Sequence, residues 1–156
     1  MQSDFRQGGF KALPTIVKNL LIINGLVWLA QITIEEKIFS IEDTFALHYF
    51  KSVFYKPWQV VSYMFLHSPQ NFFHILFNMF ALWMFGSTLE NLWGAKRFLI
   101  FYLLCGIGAA FVHMIALGYD VSKLAELYSQ GQISDETFYG NMNIPTMGAS
   151  GAVMGI

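Results

Sequence analysis

Apolar residues gather into four runs along this chain, and the segments between them carry most of the charge. The first run covers about Thr15 to Ile34, the second Asn71 to Ser87, and the third Phe98 to Tyr119. A fourth begins at Met147 and continues to Ile156. Because a bilayer core needs about 20 helical residues, the pattern predicts three complete spans and the start of a fourth. The predicted fold class is an all-α polytopic membrane protein.

The polar stretches predict how these runs are connected. Residues 1–13 are polar and mixed, which predicts a short cytoplasmic tail ahead of a membrane domain over 14–156. Residues 35–70 combine charges with many large aromatic side chains, so they are too apolar for a solvated loop and too charged for a span. We expect a folded interfacial segment with short amphipathic helices there, with a helix start at Ser40 and a break at Pro57.

Two further connections are predicted from residues that break helices. Gly86, Asn91 and Gly94 indicate a turn after the second run. Residues 120–145 are polar and contain several breakers, which predicts a long loop with a short helix at about 121–130.

The composition is that of a one-domain membrane protein. Of the 156 residues, 55% are apolar and only 12% are charged, well below the charged share of soluble domains. A net charge of −1 gives no reason to expect a nucleic-acid partner. The basic residues slightly favour a cytoplasmic N-terminus, and we expect a multi-pass protein of a bacterial inner membrane. Cys105, the single cysteine, lies in an apolar run and is expected to be a small buried side chain.

Two polar side chains, His74 and Asn78, lie within the second run. They are four residues apart, so on a helix they stack on one face, one turn apart. Polar groups at membrane depth usually face the protein interior or a water-filled cavity. The pair can act as hydrogen-bonding contacts between helices or as part of a functional site.

A serine between small residues opens the fourth run, in the order Gly148-Ala149-Ser150-Gly151. With Gly155, Gly151 forms a Gly-xxx-Gly pair typical of closely packed membrane helices, and Ser150 alone fits that packing. The same small residues would let a base approach the Ser150 hydroxyl and leave main-chain N–H groups open to an oxyanion. The strand-turn-helix nucleophile motif of soluble hydrolases does not fit, because its context is missing.

The four histidines do not suggest a metal site. His67 and His74 are seven residues apart, and His48 and His113 are isolated, which is not the spacing of a zinc site. No metal and no cofactor is expected. His113 falls near the end of the third run, which does not place it near Ser150.

In combination these motifs are far more specific. His74-Ile-Leu-Phe-Asn78, then Glu90, then Gly148-Ala-Ser-Gly151 resemble the rhomboid family of intramembrane serine proteases. Pro57-Trp-Gln59, Tyr63-Met-Phe-Leu-His67 and Ala81-Leu-Trp-Met-Phe-Gly86 extend the resemblance over most of the chain from about Asn19.

The resemblance implies a role for each matching residue. Ser150 looks like the nucleophile, and His74 and Asn78 look like side-chain donors of the oxyanion hole. Glu90 looks like a structural hydrogen-bonding group in the turn after the second span. Gln59 stands where the family usually has an arginine, which weakens any role taken from that arginine in anchoring the first loop. The gap between His67 and His74 is two residues longer than the family pattern.

The family's general base is a histidine that follows the nucleophile, whereas the histidines here all precede Ser150. We therefore expect these residues to be the N-terminal part of a longer protein, cut within its fourth helix, and to show no proteolysis alone. The expected function is endopeptidase cleavage of transmembrane substrates. Two alternatives stay open: a catalytically inactive rhomboid-like scaffold or quality-control protein, and a segment of a channel or transporter.

Overall fold

The computed structural model describes residues 12–34 and 40–156, so most of the predicted tail and residues 35–39 lie outside the described residues. The described chain is a helical bundle. In chain order its helices are α1 (Thr15–Ile34), α2 (Ile41–Phe45), α3 (Gln59–Ser62), α4 (Phe72–Ala81), α5 (Ser87–Trp93), α6 (Ala95–Ser129), α7 (Asp135–Met142) and α8 (Ser150–Val153).

Among the described residues, three helices are long and apolar enough to cross a membrane, which confirms the predicted class. They are α1, the continuous helix Phe72–Trp93, and α6. Their outward faces carry large exposed apolar side chains such as Leu26, Phe77 and Ile115. Such faces are stable only against lipid or another protein.

The second spanning helix does not end where the sequence predicted. It continues through Gly86 and Asn91 to Trp93, and the turn consists of Gly94 with a φ of +81°. Gly86 lies in a π-helical turn, Leu82–Gly86, that joins α4 to α5. A Cβ at Gly86 would lie 3.1 Å from the Phe98 ring. This glycine is therefore required for close helix packing and not for a turn.

The third spanning helix is also longer than predicted. Helix α6 has 35 residues and continues to Ser129, so residues 121–129 extend it and do not form a separate helix in a loop. At about 1.5 Å per residue it is about 52 Å long, against about 30 Å for a bilayer core. Its end packs on α7, where the Tyr128 and Phe138 rings stack 4.8 Å apart.

The helix start predicted at Ser40 is confirmed. The Ser40 side chain caps α2 by accepting a hydrogen bond from the Asp43 N–H at 3.0 Å. Pro57 precedes α3, consistent with a break before that helix. Gln59 is fully buried, and its side chain bonds main-chain groups at both ends of the preceding loop, at Asp43 on one side and at Phe54 and Lys56 on the other. It therefore anchors the first loop through its side-chain amide.

Glu90 lies inside α5 and not in a turn. Its buried carboxylate accepts hydrogen bonds from the main-chain N–H groups of Ile16 and Val17, at 2.9 and 2.8 Å. These are among the donors that an α-helix leaves without partners at its start. Glu90 therefore caps α1 from the far end of the second spanning helix, in keeping with its predicted structural role.

Candidate active site

Ser150 is the first residue of α8 and its side chain is exposed. Gly148, two residues before Ser150, has a φ of +131°, a conformation that L-residues rarely adopt. Helix α8 packs closely on α6, since a Cβ at Gly151 would lie 2.6 Å from the Ala109 Cβ. The small residues around Ser150 therefore provide the close packing proposed for them, and the hydroxyl stays on the open side.

Helix α4 carries His74 and Asn78 and packs against α8. Asn71 caps the start of α4, and its side-chain oxygen accepts from the His74 N–H at 3.3 Å. Asn78 is buried, and its side-chain amide donates to the His74 carbonyl at 2.7 Å. An amide nitrogen has two N–H groups, so one of them is left for another acceptor.

Ser150 and His74 both lie close to Gly148. A Cβ built on Gly148 would lie 2.7 Å from His74 Nε2 and 3.6 Å from Ser150 Oγ. Both atoms therefore lie beside Gly148, and the absence of a side chain on this residue allows His74 to approach so closely. The structure thus brings together His74 and Ser150, two of the three site residues predicted from the sequence, and Asn78 lies one turn further along α4.

The tautomer of His74 can be assigned from its hydrogen bonding. Nδ1 accepts the Ser68 main-chain N–H at 3.4 Å, so in the neutral ring the proton is on Nε2. Nε2 is the atom that faces Gly148. His74 therefore presents a hydrogen-bond donor to the space beside Ser150.

A second histidine, His67, lies directly against His74, and sequence reasoning gave it no role. Their ring centroids are 5.2 Å apart in an edge-on arrangement. His67 is fully buried, and neither ring nitrogen has a partner within the described residues. Burial lowers the pKa of His67 to about 4, and the neighbouring His74 adds to the shift. The ring is therefore neutral near pH 7.

The segment before Ser150 is held by other parts of the chain. Thr146 pairs with Leu47 of the interfacial segment through two main-chain hydrogen bonds of 2.9 and 2.8 Å. The Gly148 N–H donates to the Tyr63 carbonyl at 3.0 Å. His113 was not expected to lie near Ser150. Its Nε2 lies 2.6 Å from Oγ1 of Thr146, which is four residues before Ser150.

The remaining candidates are simpler. Cys105 is half-buried and not fully enclosed, and a Cβ at Gly155 would lie 2.6 Å from its sulfur. It therefore belongs to the close contact between α6 and the residues after α8. Within residues 12–34 and 40–156, no group of three His, Cys, Asp or Glu side chains could hold a metal ion.

The fold and the site define an integral, multi-pass membrane protein with a serine beside a histidine donor. The Rhomboid domain family model matches residues 55–156. The chain therefore belongs to the rhomboid family.

Two curated relatives are consistent with this family. Rhomboid protease AarA of Providencia stuartii is 32% identical over 141 residues, which cover 88% of this chain and 46% of that protein. Rhomboid protein 1, mitochondrial, of Saccharomyces cerevisiae is 35% identical over 89 residues, which cover 57% of this chain and 20% of that protein. The chain thus spans about half the length of the first relative and a fifth of the second. No solved structure matches it significantly.

Proposed function

We propose that the chain provides the nucleophile and the oxyanion hole of an intramembrane serine endopeptidase. The observation that carries the proposal is that Ser150 Oγ and the donor nitrogen of His74 both lie beside Gly148. In this proposal Ser150 Oγ loses its proton to a general base and attacks a substrate peptide carbonyl. The tetrahedral intermediate collapses with cleavage of the peptide C–N bond, the amine leaves with that proton, and water then hydrolyses the ester of the acyl-enzyme to a carboxylate and free Ser150.

The oxyanion of the tetrahedral intermediate would be bound by His74 Nε2–H and by the second N–H of the Asn78 amide. The first N–H of that amide is held by the His74 carbonyl, which fixes the direction of the other. One preorganised donor of this kind contributes about 3 kcal/mol to transition-state stabilisation. The Ser150 main-chain N–H would be a third donor.

Serine also needs a general base, because its hydroxyl is a weak nucleophile near neutral pH. Among the described residues, no histidine bonds Ser150 Oγ: His74 presents a donor, His113 contacts Thr146, and His67 is buried. We propose that the base is a histidine outside these 156 residues. The 156 residues alone are then expected to show no proteolysis.

The remaining proposals concern the surroundings of the site. The substrates would be transmembrane helices, cleaved near the outer membrane boundary where helix-destabilising residues expose the peptide bond. The N-terminal tail, residues 1–13, would be cytoplasmic, residues 14–156 would form the membrane domain, and the protein would lie in a bacterial inner membrane.

The experiment is labelling of the full-length protein in membranes with a fluorophosphonate, which reacts with activated serines. Ser150→Ala is expected to abolish the label. The matched control is Ser122→Ala, since Ser122 is exposed on α6 and donates to the Gly118 carbonyl, and it should leave the label unchanged. Labelling that survives Ser150→Ala would exclude this serine as the nucleophile.

A catalytically inactive scaffold is the second candidate. The observation that favours it is that no described histidine bonds Ser150 Oγ. It predicts no Ser150-dependent label and no cleavage by the full-length protein, even when thermal unfolding shows that the protein is folded.

A further inference from the structure

We propose that His113 is a positioning residue for Ser150 and acts through Thr146. This inference rests on the proposed function. The observation is the contact between His113 Nε2 and Thr146 Oγ1, which are 2.6 Å apart and both half-buried. It joins α6 to the segment that leads into α8.

The other hydrogen bonds of this segment are made by the main chain. Thr146 pairs with Leu47, and the Gly148 N–H donates to the Tyr63 carbonyl. Main-chain bonds hold the segment whatever its side chains are. Among the described residues, the contact with His113 is the one hydrogen bond to residues 146–149 that depends on side-chain identity at both ends.

The direction of this restraint matters for the site. Leu47 and Tyr63 hold the segment from the interfacial side, whereas His113 holds it from α6, the helix on which α8 packs. Ser150 follows Thr146 by four residues, and Gly148 lies between them against His74. A sideways shift of the segment would therefore change the approach of Ser150 Oγ to the His74 donor.

Reaction rates are sensitive to shifts of this size, and a displacement of about 1 Å is enough to slow a positioned reaction strongly. The net contribution of one neutral hydrogen bond corresponds to about two- to thirteenfold in an equilibrium constant. We therefore expect a rate loss of about three- to tenfold when the contact is removed. His113 itself is not placed to touch the substrate or the reacting atoms.

The test uses the full-length protein and a double-mutant cycle. Thr146→Val removes the hydroxyl with little change in shape, and His113→Phe removes the ring nitrogens. Each is expected to lower kcat and the fluorophosphonate labelling rate about three- to tenfold with KM unchanged, because the contact acts on the reacting geometry. The double variant should lose no more than either single variant, since both remove the same contact.

Two further variants separate positioning from folding. Thr146→Ser keeps the hydroxyl and should restore a rate close to that of the wild type. Thr33→Val is the matched control, because the Thr33 hydroxyl is exposed and bonds within its own helix, and it should change nothing. Rates are expressed per folded molecule after thermal unfolding has given the folded fraction.

The outcomes that overturn the positioning role are specific. The positioning role is wrong if Thr146→Val is labelled at the wild-type rate. It is also wrong if the rate losses of the two single variants multiply in the double variant, or if Thr146→Ser is as slow as Thr146→Val. If Ser150→Ala keeps its label, the proposed function fails instead. If Ser150→Ala abolishes the label and Thr146→Val has no effect, the positioning role alone fails.

Discussion

The interfacial segment and the spanning helices differ in the interactions that hold them together. In the interfacial segment, polar side chains bond the main chain of distant residues. Gln59 bonds both flanks of its loop, the Ser62 hydroxyl donates to the Phe45 carbonyl at 2.7 Å, and the Trp58 indole donates to the Thr44 carbonyl at 3.0 Å. Irregular main chain has few partners of its own, so side chains must supply them.

In the spanning helices, several polar side chains bond the helix that carries them, whereas others, such as Glu90 and His113, bond a neighbouring element. The Asn24 amide donates to the Leu20 carbonyl at 2.7 Å, and Asn78 bonds His74 in the same way. Close contacts of these helices involve small residues, as at Gly86, where an added Cβ would lie 3.1 Å from both Val17 and Phe98, and at Ala109 of α6 against Gly151 of α8. In lipid, apolar surface gives little drive for helices to associate, so close packing has to provide it.

The comparison predicts that the largest loss of stability in the interfacial segment follows from removing the Gln59 side-chain amide. Gln59→Leu removes the hydrogen-bond partner of the His48 and Lys56 N–H groups and of the Asp43 and Phe54 carbonyls. Each such group costs about 1–3 kcal/mol, so the free energy of unfolding should fall by at least about 3 kcal/mol. Thermal unfolding in detergent measures this. The control is Gln132→Leu at an exposed position, and a Gln59→Leu protein as stable as this control would contradict the comparison.

The second prediction concerns acid. The pKa of His67 is lowered to about 4 in the folded protein, below its ordinary value of about 6.5. Between these values the unfolded chain binds more protons, so stability should fall as the pH drops from about 6.5 towards 4, by at most about 3 kcal/mol. Unfolding midpoints measured across this range check it. In His67→Phe the dependence should flatten, and an unchanged slope would assign it to other groups.

The third and smallest effect tests the glycine contacts of the spans. Gly151→Ala brings a Cβ within 2.6 Å of the Ala109 Cβ, which cannot rotate away. Overpacking of this kind costs about 1–3 kcal/mol. Gly108→Ala is the matched control on α6, because nothing lies within 4 Å of its added Cβ, and it should be neutral or slightly stabilising. If both variants lost the same free energy of unfolding, the effect of Gly151→Ala would come from helix propensity and not from packing against Ala109.

Local signals in the sequence were sufficient to predict much of this architecture. The three spans follow from apolar runs, and the Ser40 cap follows from the acidic residues after it. The stacking of His74 and Asn78 follows from helical spacing alone. Each of these features depends on residues close together in the chain.

The features that the sequence did not predict have two causes. The end of α6 was placed near Tyr119 because hydropathy falls at Asp120, but polarity does not end a helix whose residues still favour one. The contacts of His113 with Thr146 and of Gln59 with its loop depend on tertiary structure. No periodic pattern encodes a contact between residues that different elements bring together.

The Glu90 cap also says something about the order of assembly. The two N–H groups that it binds lie 74 and 73 residues before it in the chain. During synthesis, the first turn of α1 therefore exists well before its acceptor is made, and water at the membrane surface must satisfy those groups until then. Helix α1 thus reaches its final hydrogen-bonded state only once the following spanning helix has inserted beside it.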